Sequence, residues 1–341
     1  MNRIGLPPDW RLRPVTKALA ETIDWGATWL GLPDLWLQTQ GAGVRVAVLD
    51  TGCDLNHPDL QGAIVGQHDF SRSRLGVSDV QGHGTWCAGY IGARANGIGV
   101  RGIAPQCELL IGKVLGDDGT GNDRDILAGI VWAAKNGADV ISLSLGGPMM
   151  GADVRSAIRE FVRTPGKYLF AAAGNDGHSA GIDTVGYPAR WPETISVAAV
   201  DKSGNLTSFS SFNDAVTIAA PGFEMISTIP VIRGGRGGYG AMSGTSMATP
   251  CAAGIGALAI AKHKSVAGDT PLDTVAAMQD HLRKTAKIIN GVRVIAPGAL
   301  LDRKPTGPSV PQKLPIGTLS AFLVSLGYEV QRDGDKLSVA A

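Results

Sequence analysis

The sequence predicts an α/β fold, a doubly wound and mostly parallel sheet with helices on both faces, and three observations predict it. Short runs of β-branched and aliphatic residues alternate with segments whose apolar residues recur every three to four positions. The strand-like runs are almost continuously apolar, as in strands that are covered on both faces. The chain has 341 residues, 44% of them hydrophobic, which is enough for one large core with terminal extensions. Regular alternation of strands and helices favours a parallel sheet.

The predicted elements follow in order along the chain. The strand candidates share an aliphatic run bounded by turn residues, and they are residues 44–49, 109–114, 140–145, 168–173, 194–200 and 216–219. The helix candidates share helical periodicity or a long small-residue pattern, and they are residues 86–93, 123–136, 152–162 and 247–262. Sites in such sheets form at the carboxyl ends of strands. Asp50 ends the first strand and Asn175 follows another, so both are placed to share one site.

Two boundaries divide the chain. Residues 1–23, with a Pro-Pro step and a charged stretch, are predicted as an extension that precedes a main domain at residues 24–303. Residues 304–341 begin as a Pro-rich linker and continue as a small tail. Within that tail we expect a short helix and the two strands of a hairpin, at residues 319–326, 328–331 and 336–339.

Composition excludes several partners. The formal net charge of +1 gives no reason to expect nucleic acid or an anionic membrane surface. No apolar run reaches the length of a membrane span. The N-terminus shows no apolar segment of the kind found in secretory signals. We therefore expect a cytoplasmic protein, or a secreted one if a leader has been removed.

Three short glycine-bearing motifs supply a carboxylate, an imidazole and a hydroxyl. They are Val-Leu-Asp50-Thr51-Gly52, Gly82-His83-Gly84-Thr85 and Gly244-Thr245-Ser246-Met247-Ala248-Thr249-Pro250. Together such groups turn an alcohol into a nucleophile: the acid orients the imidazole, and the imidazole takes the hydroxyl proton. Ser246 is predicted at a helix N-terminus, where free N–H groups favour negative charge. Pro250 should be tolerated there because an early-turn N–H has no helical partner.

The order of these motifs and the string Ser-Gly-Thr-Ser-Met-Ala-Thr-Pro resemble the subtilisin-like serine proteases over residues 24–303. The segment Leu-Asp-Thr-Gly-Cys-Asp most resembles the intracellular subtilisins. The resemblance implies a serine endopeptidase that acts through an acyl-enzyme. It implies Ser246 as nucleophile, His83 as general base and then acid, Asp50 as the orienting carboxylate and Asn175 as an oxyanion donor. Trp86 departs from the family, which usually has a second histidine there, and we expect altered packing.

Two rival functions remain open. A catalytically silent relative could use the cleft or the tail to bind peptides without cutting them. Another serine hydrolase, such as an esterase, is disfavoured because no Gly-x-Ser-x-Gly elbow surrounds Ser246. Protein or peptide substrates are the expected partners, and a homo-oligomer is left open.

The resemblance also implies a substrate cleft. Two segments match those that flank an extended substrate as neighbouring strands: Gly119, Thr120 and Gly121, and Ser144, Leu145 and Gly146. Four small residues match the walls and floor of the pocket for the side chain before the scissile bond (P1): Ala172, Ala173, Gly174 and Gly186. Such a pocket suits large apolar side chains. Asp123 matches the rim of the P4 pocket, where it could select basic residues, or it could be a charge at a helix N-terminus.

A structural calcium site is implied as well. The matching residues, which would supply carboxylate, amide and carbonyl oxygens, are Asp59, Arg94, Asn96, Ile98 and Val100. Hard oxygen ligands suit Ca²⁺, and the ion would stabilise a loop without taking part in the chemistry. The ligand from the N-terminal segment cannot be identified in the sequence, and an empty or remodelled site is the alternative.

The cysteines and the extension complete the expectations. Four cysteines without CxxC pairing indicate buried thiols in a reducing compartment: Cys53, Cys87, Cys107 and Cys251. Three of them lie within five residues of Asp50, His83 or Ser246, so thiol reagents are expected to inhibit.

Residues 4–8, Ile-Gly-Leu-Pro-Pro, could lie across the cleft and inhibit, because prolines lack the N–H groups of a cleavable strand. A disordered terminus is the alternative.

Overall fold

The computed structural model describes residues 4–5, 13–14, 20–178, 182–231, 238–264, 272–302, 329–333 and 336–340. The chain divides into two compact units, Met1–Pro305 and Thr306–Ala341. The strands are β1 Ile4–Gly5, β2 Arg13–Pro14, β3 Arg45–Asp50, β4 Ile64–Asp69, β5 Glu108–Lys113, β6 Thr120–Gly121, β7 Val140–Leu143, β8 Tyr168–Ala172, β9 Ile195–Val200, β10 Ile218–Pro221, β11 Met225–Thr228, β12 Tyr239–Met242, β13 Lys287–Ile289, β14 Val292–Val294, β15 Glu329–Asp333 and β16 Lys336–Ala340.

The helices of the described residues are α1 Trp25–Trp29, α2 Leu32–Leu35, α3 His83–Gly92, α4 Asp123–Lys135, α5 Ala152–Arg163, α6 Thr245–Lys264, α7 Val275–Thr285 and α8 Pro297–Asp302, with a 3₁₀ turn at Pro58–Leu60. Among the described residues, no helix is both long and apolar enough to cross a membrane.

A nine-stranded sheet organises the first unit. Its order is β13-β14-β10-β9-β8-β7-β3-β5-β4, and every neighbouring pair is parallel except β13 and β14. The predicted doubly wound α/β fold is confirmed. Because the chain leaves β3 toward β5 on one side and toward β7 on the other, β3 lies at the topological switch point, where ligands bind.

The two faces of the sheet carry separate cores. In β3, Val46 and Val48 belong to the apolar cluster that contains residues of α3 and α6, while Ala47 and Leu49 belong to the cluster of α4 and α5. This division follows from the period of two along a strand. It also explains the continuous apolar runs of the sequence, since both faces of the sheet are covered.

All six predicted strands of the sheet are present, with ends displaced by up to two residues. The sequence did not predict β4, β13 and β14 of this sheet, nor β11 and β12 outside it. In β4, Ile64–Asp69, polar residues face outward on an edge strand, and β11 and β12 have only four residues each. The helix predicted from residue 86 begins at His83, and the tail hairpin is formed by β15 and β16. The predicted linker and tail helix lie outside the described residues.

The reason given for tolerating Pro250 was wrong. Helix α6 begins at Thr245, so Pro250 is an interior residue whose missing N–H would have bonded the Ser246 carbonyl. That carbonyl instead accepts from the Ser144 hydroxyl at 2.9 Å and from the Cys87 thiol at 3.8 Å. Proline is therefore tolerated because two side chains replace the lost donor.

Candidate active site

Asp50 and His83 come together from two elements of the fold. Asp50 ends β3 and His83 begins α3, and each is only 1% exposed. Asp50 Oδ1 accepts from the Thr51 N–H at 2.7 Å and lies 2.8 Å from His83 Nδ1. An ionised carboxylate can only accept, so His83 Nδ1 carries the proton and the lone pair of the ring lies on Nε2. This is the tautomer that a general base requires.

A second buried carboxylate holds these two elements together. Asp79 accepts from the Thr51 hydroxyl at 2.9 Å and from the Thr85 N–H and hydroxyl at 2.8 and 2.7 Å. Burial raises the pKa of Asp79, and these hydrogen bonds oppose that rise. No signal in the sequence indicates this role, because Asp79 belongs to no recognisable motif.

Charge fixes the acid–base character of His83. Burial alone would lower its pKa, but the charge of the Asp50 carboxylate opposes burial, and the pKa of His83 lies well above its ordinary value. Cys87 Sγ is 3.9 Å from His83 Nδ1, one helical turn along α3. Burial raises the pKa of Cys87 in turn, so its thiol stays protonated near neutrality.

Ser246 lies in the first turn of α6 and is 4% exposed. Its hydroxyl donates to the Ser144 carbonyl at 3.0 Å, and its own carbonyl accepts from the Ser144 hydroxyl. Ser144, which belongs to a predicted substrate segment, therefore holds the serine in place. Proton transfer to His83 requires the Ser246 hydroxyl to turn away from the Ser144 carbonyl.

Asn175 is oriented by Thr245, the residue before the serine. Its Oδ1 accepts from the Thr245 N–H and hydroxyl, both at 2.9 Å. Because a backbone N–H can only donate, this pairing identifies Oδ1 and leaves Nδ2 as a directed donor. Nδ2 and the Ser246 N–H lie 3.2 and 3.6 Å from the point where a Cβ on Gly244 would sit. Two donors thus flank one small space beside the serine.

A strand of the N-terminal extension lies between the two predicted substrate segments. β1 pairs antiparallel with β6, Ile4 opposite Gly121 and Gly5 opposite Thr120. On its other side the Gly5 N–H donates to the Gly146 carbonyl at 3.4 Å. Ile4 is fully buried. A Cβ on Gly5 would come within 2.9 Å of the Gly119 carbonyl, so only a residue without a side chain fits this closely.

The residues predicted for the P1 pocket also meet. The Gly186 N–H donates to the Ala173 carbonyl at 2.9 Å, and Ala172 and Ala173 are 6% and 0% exposed. Gly174 joins them to the serine turn, because its N–H donates to the Thr245 hydroxyl at 3.2 Å. Leu145, in the second substrate segment, is buried at 2%.

Asp123 is oriented toward a helix terminus. Its Oδ2 accepts from the N–H of Gly151, the N-cap of α5, at 3.0 Å, and Asp123 itself begins α4. This contact favours the helix-terminus interpretation over selection of basic P4 residues.

The predicted calcium ligands surround Asp59, which is fully buried. The N–H of Arg94 donates to the Asp59 carbonyl and the N–H of Val100 to Asp59 Oδ2, both at 2.8 Å. Asn96 Oδ1 accepts from the Ile98 N–H at 3.1 Å. The Arg94 guanidinium points away, to the carbonyls of other residues, Gly62, Pro105 and Cys107. Only the backbone oxygen of Arg94 could therefore serve a cation.

The side chains of two residues at this loop, Glu21 and Tyr239, were missed in the sequence analysis. Glu21 Oε1 accepts from the Gly97 N–H at 3.2 Å, which places a carboxylate of the N-terminal segment against the loop. Thr22 adds backbone bonds to Gly99 and Arg101. Tyr239, the first residue of β12, has its pKa raised by burial and by the Asp59 carboxylate. Neither residue stands in a motif, so only the fold brings them here.

The chain is similar to a known protein family over most of its length. The model of the Subtilase family matches residues 41–314. Subtilisin NAT from Bacillus subtilis subsp. natto is 41% identical over 274 residues, which cover 80% of this chain and 68% of that protein. An intracellular serine protease from Paenibacillus polymyxa is 43% identical over 242 residues, 70% of this chain and 72% of that protein. Thermitase from Thermoactinomyces vulgaris is 39% identical over 234 residues, 68% of this chain and 80% of that protein.

Proposed function

The chain belongs to the subtilase family and is a subtilisin-like serine endopeptidase, and on that premise we propose how its residues carry the reaction. Ser246 attacks the scissile carbonyl, and its proton passes to His83 Nε2 as the Oγ–C bond forms. Asp50 holds His83 in the required tautomer and stabilises the imidazolium. The observation that carries this assignment is the buried 2.8 Å contact between Asp50 and His83.

The proposed oxyanion donors are Asn175 Nδ2 and the Ser246 N–H, which flank the space beside Gly244. As the C–N bond breaks, His83 returns its proton to the leaving amine and an acyl-enzyme remains. Water then attacks that ester with His83 again acting as base. The supporting observation is that Thr245 holds the Asn175 amide before any substrate binds, so no reorganisation is needed at the moment of reaction.

A fluorophosphonate probe tests the assignment against a silent peptide-binding scaffold. The active enzyme should be labelled on the peptide that contains Ser246, and Ser246→Ala and His83→Ala should each lose nearly all labelling and turnover. Their losses should not add, because the two residues act as a unit. Labelling of wild-type protein at another serine, or none at all, would point to one of the rival functions.

We propose a preference for large apolar P1 side chains. The support is the small size of Ala172, Ala173 and Gly186, which meet at the Gly186–Ala173 backbone bond. Cleavage profiling with a peptide library, with Ser246→Ala as the blank, measures this preference. A strict requirement for Arg or Asp at P1 would contradict it.

We also propose that the N-terminal extension restrains the enzyme. The support is that β1 lies between Gly121 and Gly146, the segments proposed to flank the substrate, and that β2 pairs with β12, the strand that leads to Ser246. Ser246 itself is only 4% exposed. A chain that begins at Ala20 should therefore have a higher kcat/KM on a short peptide. It retains Glu21 and Thr22, which a start at Asp24 would remove from the loop around Asp59.

A point variant separates occupancy of the cleft from other effects of truncation. Ile4→Asp places a charge where Ile4 is fully buried, so β1 should leave β6 and kcat/KM should rise as it does on truncation. Ile4→Val should keep the wild-type rate. Equal kcat/KM for the wild type, Ile4→Asp and the truncated chain would show that the extension does not restrain catalysis.

A structural calcium ion is proposed at Asp59. Asp59 Oδ1 is buried and accepts no hydrogen bond from the part of the chain that the structure describes, as expected of an oxygen kept for a cation. The Asn96 side chain, the backbone oxygens of Arg94, Ile98 and Val100, and Glu21 would complete the oxygen ligands. The ion would add a fixed positive charge that stabilises the loop. Calcium, but not magnesium at equal ionic strength, should raise the Tm of the Ser246→Ala protein.

We place the protein in the cytoplasm. The support is the intracellular serine protease among its relatives and four buried cysteines that are all free thiols. Fractionation of the cells that make the protein, with a fusion tag at the C-terminus, measures its location.

A further inference from the structure

The Asp59 carboxylate is a buried charge whose local compensation is incomplete. It is fully buried, Oδ2 accepts from the Val100 N–H, and Oδ1 has no hydrogen-bond partner among the described residues. A buried carboxylate with so few donors costs free energy unless another group offsets its charge. In the cation-free protein that group must come from the chain itself.

The Tyr239 hydroxyl is in the right place to offset the charge. A Cβ on Gly99, whose φ is +60°, would lie 2.0 Å from the Tyr239 hydroxyl and 2.1 Å from Asp59 Oδ2. Both oxygens therefore border the space that a side chain at position 99 would fill. The hydroxyl can donate to the carboxylate there, and a hydrogen bond to a charged group is stronger than one between neutral groups.

The same turn that carries Asp59 also holds Tyr239 in position. His57 Nδ1 accepts from the Asp59 N–H at 3.2 Å, which leaves the proton on Nε2. That Nε2–H donates to the Gly238 carbonyl at 2.7 Å, immediately before Tyr239. The rings of His57 and Tyr239 meet edge to face at 5.4 Å. The start of β12 is thus anchored to the turn at two adjacent residues.

We propose that the Tyr239 hydroxyl stands in for the cation: it offsets the Asp59 charge in the cation-free protein and keeps β12 in place at low calcium. This rests on the cation site proposed above. The consequence reaches the active site because β12 ends at Met242, four residues before Ser246. Tyr239 is a positioning residue in this scheme, since it acts through Asp59 and the strand.

The proposal predicts where the stability loss of Tyr239→Phe will fall. Without calcium the variant leaves the Asp59 charge with one donor fewer, whereas bound calcium supplies the compensation itself. In chelator the Tm should fall by about 2–5 °C, and in saturating calcium by far less. The rise in Tm on adding calcium should therefore be larger for the variant than for the wild type.

Thermal unfolding of full-length Ser246→Ala proteins tests this without self-digestion. The matched control is Tyr90→Phe, which removes a buried phenol that donates to another buried carboxylate, Asp24, at 3.0 Å. Its Tm loss should be the same with and without calcium. If Tyr239→Phe also lost equally in both media, the stand-in role would be wrong while the cation site remained. If calcium left the wild-type Tm unchanged, the cation site itself would fail, and the stand-in role with it.

Discussion

Asp50 and Asp59 are two buried carboxylates in nearly the same local state, yet they belong to different parts of the function. Asp50 is 1% exposed and Asp59 is 0% exposed, and each accepts one short backbone N–H bond. In each, one oxygen has no hydrogen-bond partner within the described ranges. The difference is the neighbour: Asp50 faces the His83 ring, and Asp59 faces a loop of backbone groups with the Tyr239 hydroxyl at its edge.

This difference decides what each charge can do. A histidine can gain and lose a proton during a reaction, so a carboxylate beside it can stabilise a transient imidazolium. A loop with oxygens and a phenol cannot become cationic, so a carboxylate beside it favours a permanent ion. The buried carboxylate is thus common to both regions, and the group that compensates it determines whether the role is chemical or structural.

The largest effect is expected from a substitution at Asp50, the carboxylate beside His83. Asp50→Asn replaces an acceptor by a side chain that can donate to His83 Nδ1, which moves the imidazole proton to Nε2. We expect kcat to fall on the order of 10⁴-fold, the size known for loss of this aspartate in subtilisin itself. Single-turnover kinetics on a short peptide measures the loss, with Tm as the control for folding. A loss below tenfold in a folded variant would contradict the role of Asp50.

The pH dependence of activity tests the effect of Asp50 on His83. His83 must be neutral to accept a proton, and its pKa is raised well above the ordinary value by the Asp50 carboxylate despite burial. Activity should therefore fall as pH decreases through a midpoint that lies above the ordinary histidine pKa of about 6.5. Residual activity of Asp50→Asn should show a lower midpoint, because the main raising charge is gone. The profile of kcat/KM against pH measures both, and an unchanged midpoint in the variant would contradict this.

How much of this could be read from the sequence depends on the range of the contacts. The apolar strands and the motif residues Asp50, His83 and Ser246 were readable, because each is marked by its immediate neighbours along the chain. Tyr239 and Glu21 were not, since only the fold brings β12 and the N-terminal segment to the Asp59 loop.

The reason for tolerating Pro250 was missed for a similar cause. The donors that replace its N–H come from Ser144 and Cys87, residues more than a hundred positions away. Local propensity rules consider only neighbours along the chain and cannot identify such partners. A rule about helix ends was therefore applied to Pro250, which lies inside the helix.

A smaller effect is expected on the Asp59 side. Asp59→Asn keeps the acceptor for the Val100 N–H but removes the buried charge, so kcat should stay within about twofold and the calcium-dependent rise in Tm should disappear. In chelator the Tm should not fall, because a buried charge that only the Val100 N–H and the Tyr239 hydroxyl offset has been removed. Calorimetry of the Ser246→Ala protein with and without Asp59→Asn measures this. A wild-type calcium response in the variant would remove Asp59 from the site.

The smallest effect concerns Cys87, the other neighbour of His83. Its thiol touches His83 Nδ1 at 3.9 Å and the Ser246 carbonyl at 3.8 Å, so a mercurial on Cys87 would displace both. Cys87→Ser should keep most of its activity, within about twofold of the wild type, since the thiol takes no part in proton transfer. It should resist inactivation by a mercurial that slowly inhibits the wild type through this fully buried thiol.

Cys107→Ser is the matched control for this reagent. Burial raises the pKa of the Cys107 thiol to about 12, and Cys107 is as buried as Cys87 but stands in none of the active-site contacts. Its variant should be inactivated at the wild-type rate. If Cys87→Ser were inactivated as fast as Cys107→Ser, the sensitive thiol would be Cys53 or Cys251, and Cys87 would be only a packing neighbour of the Asp50–His83 pair.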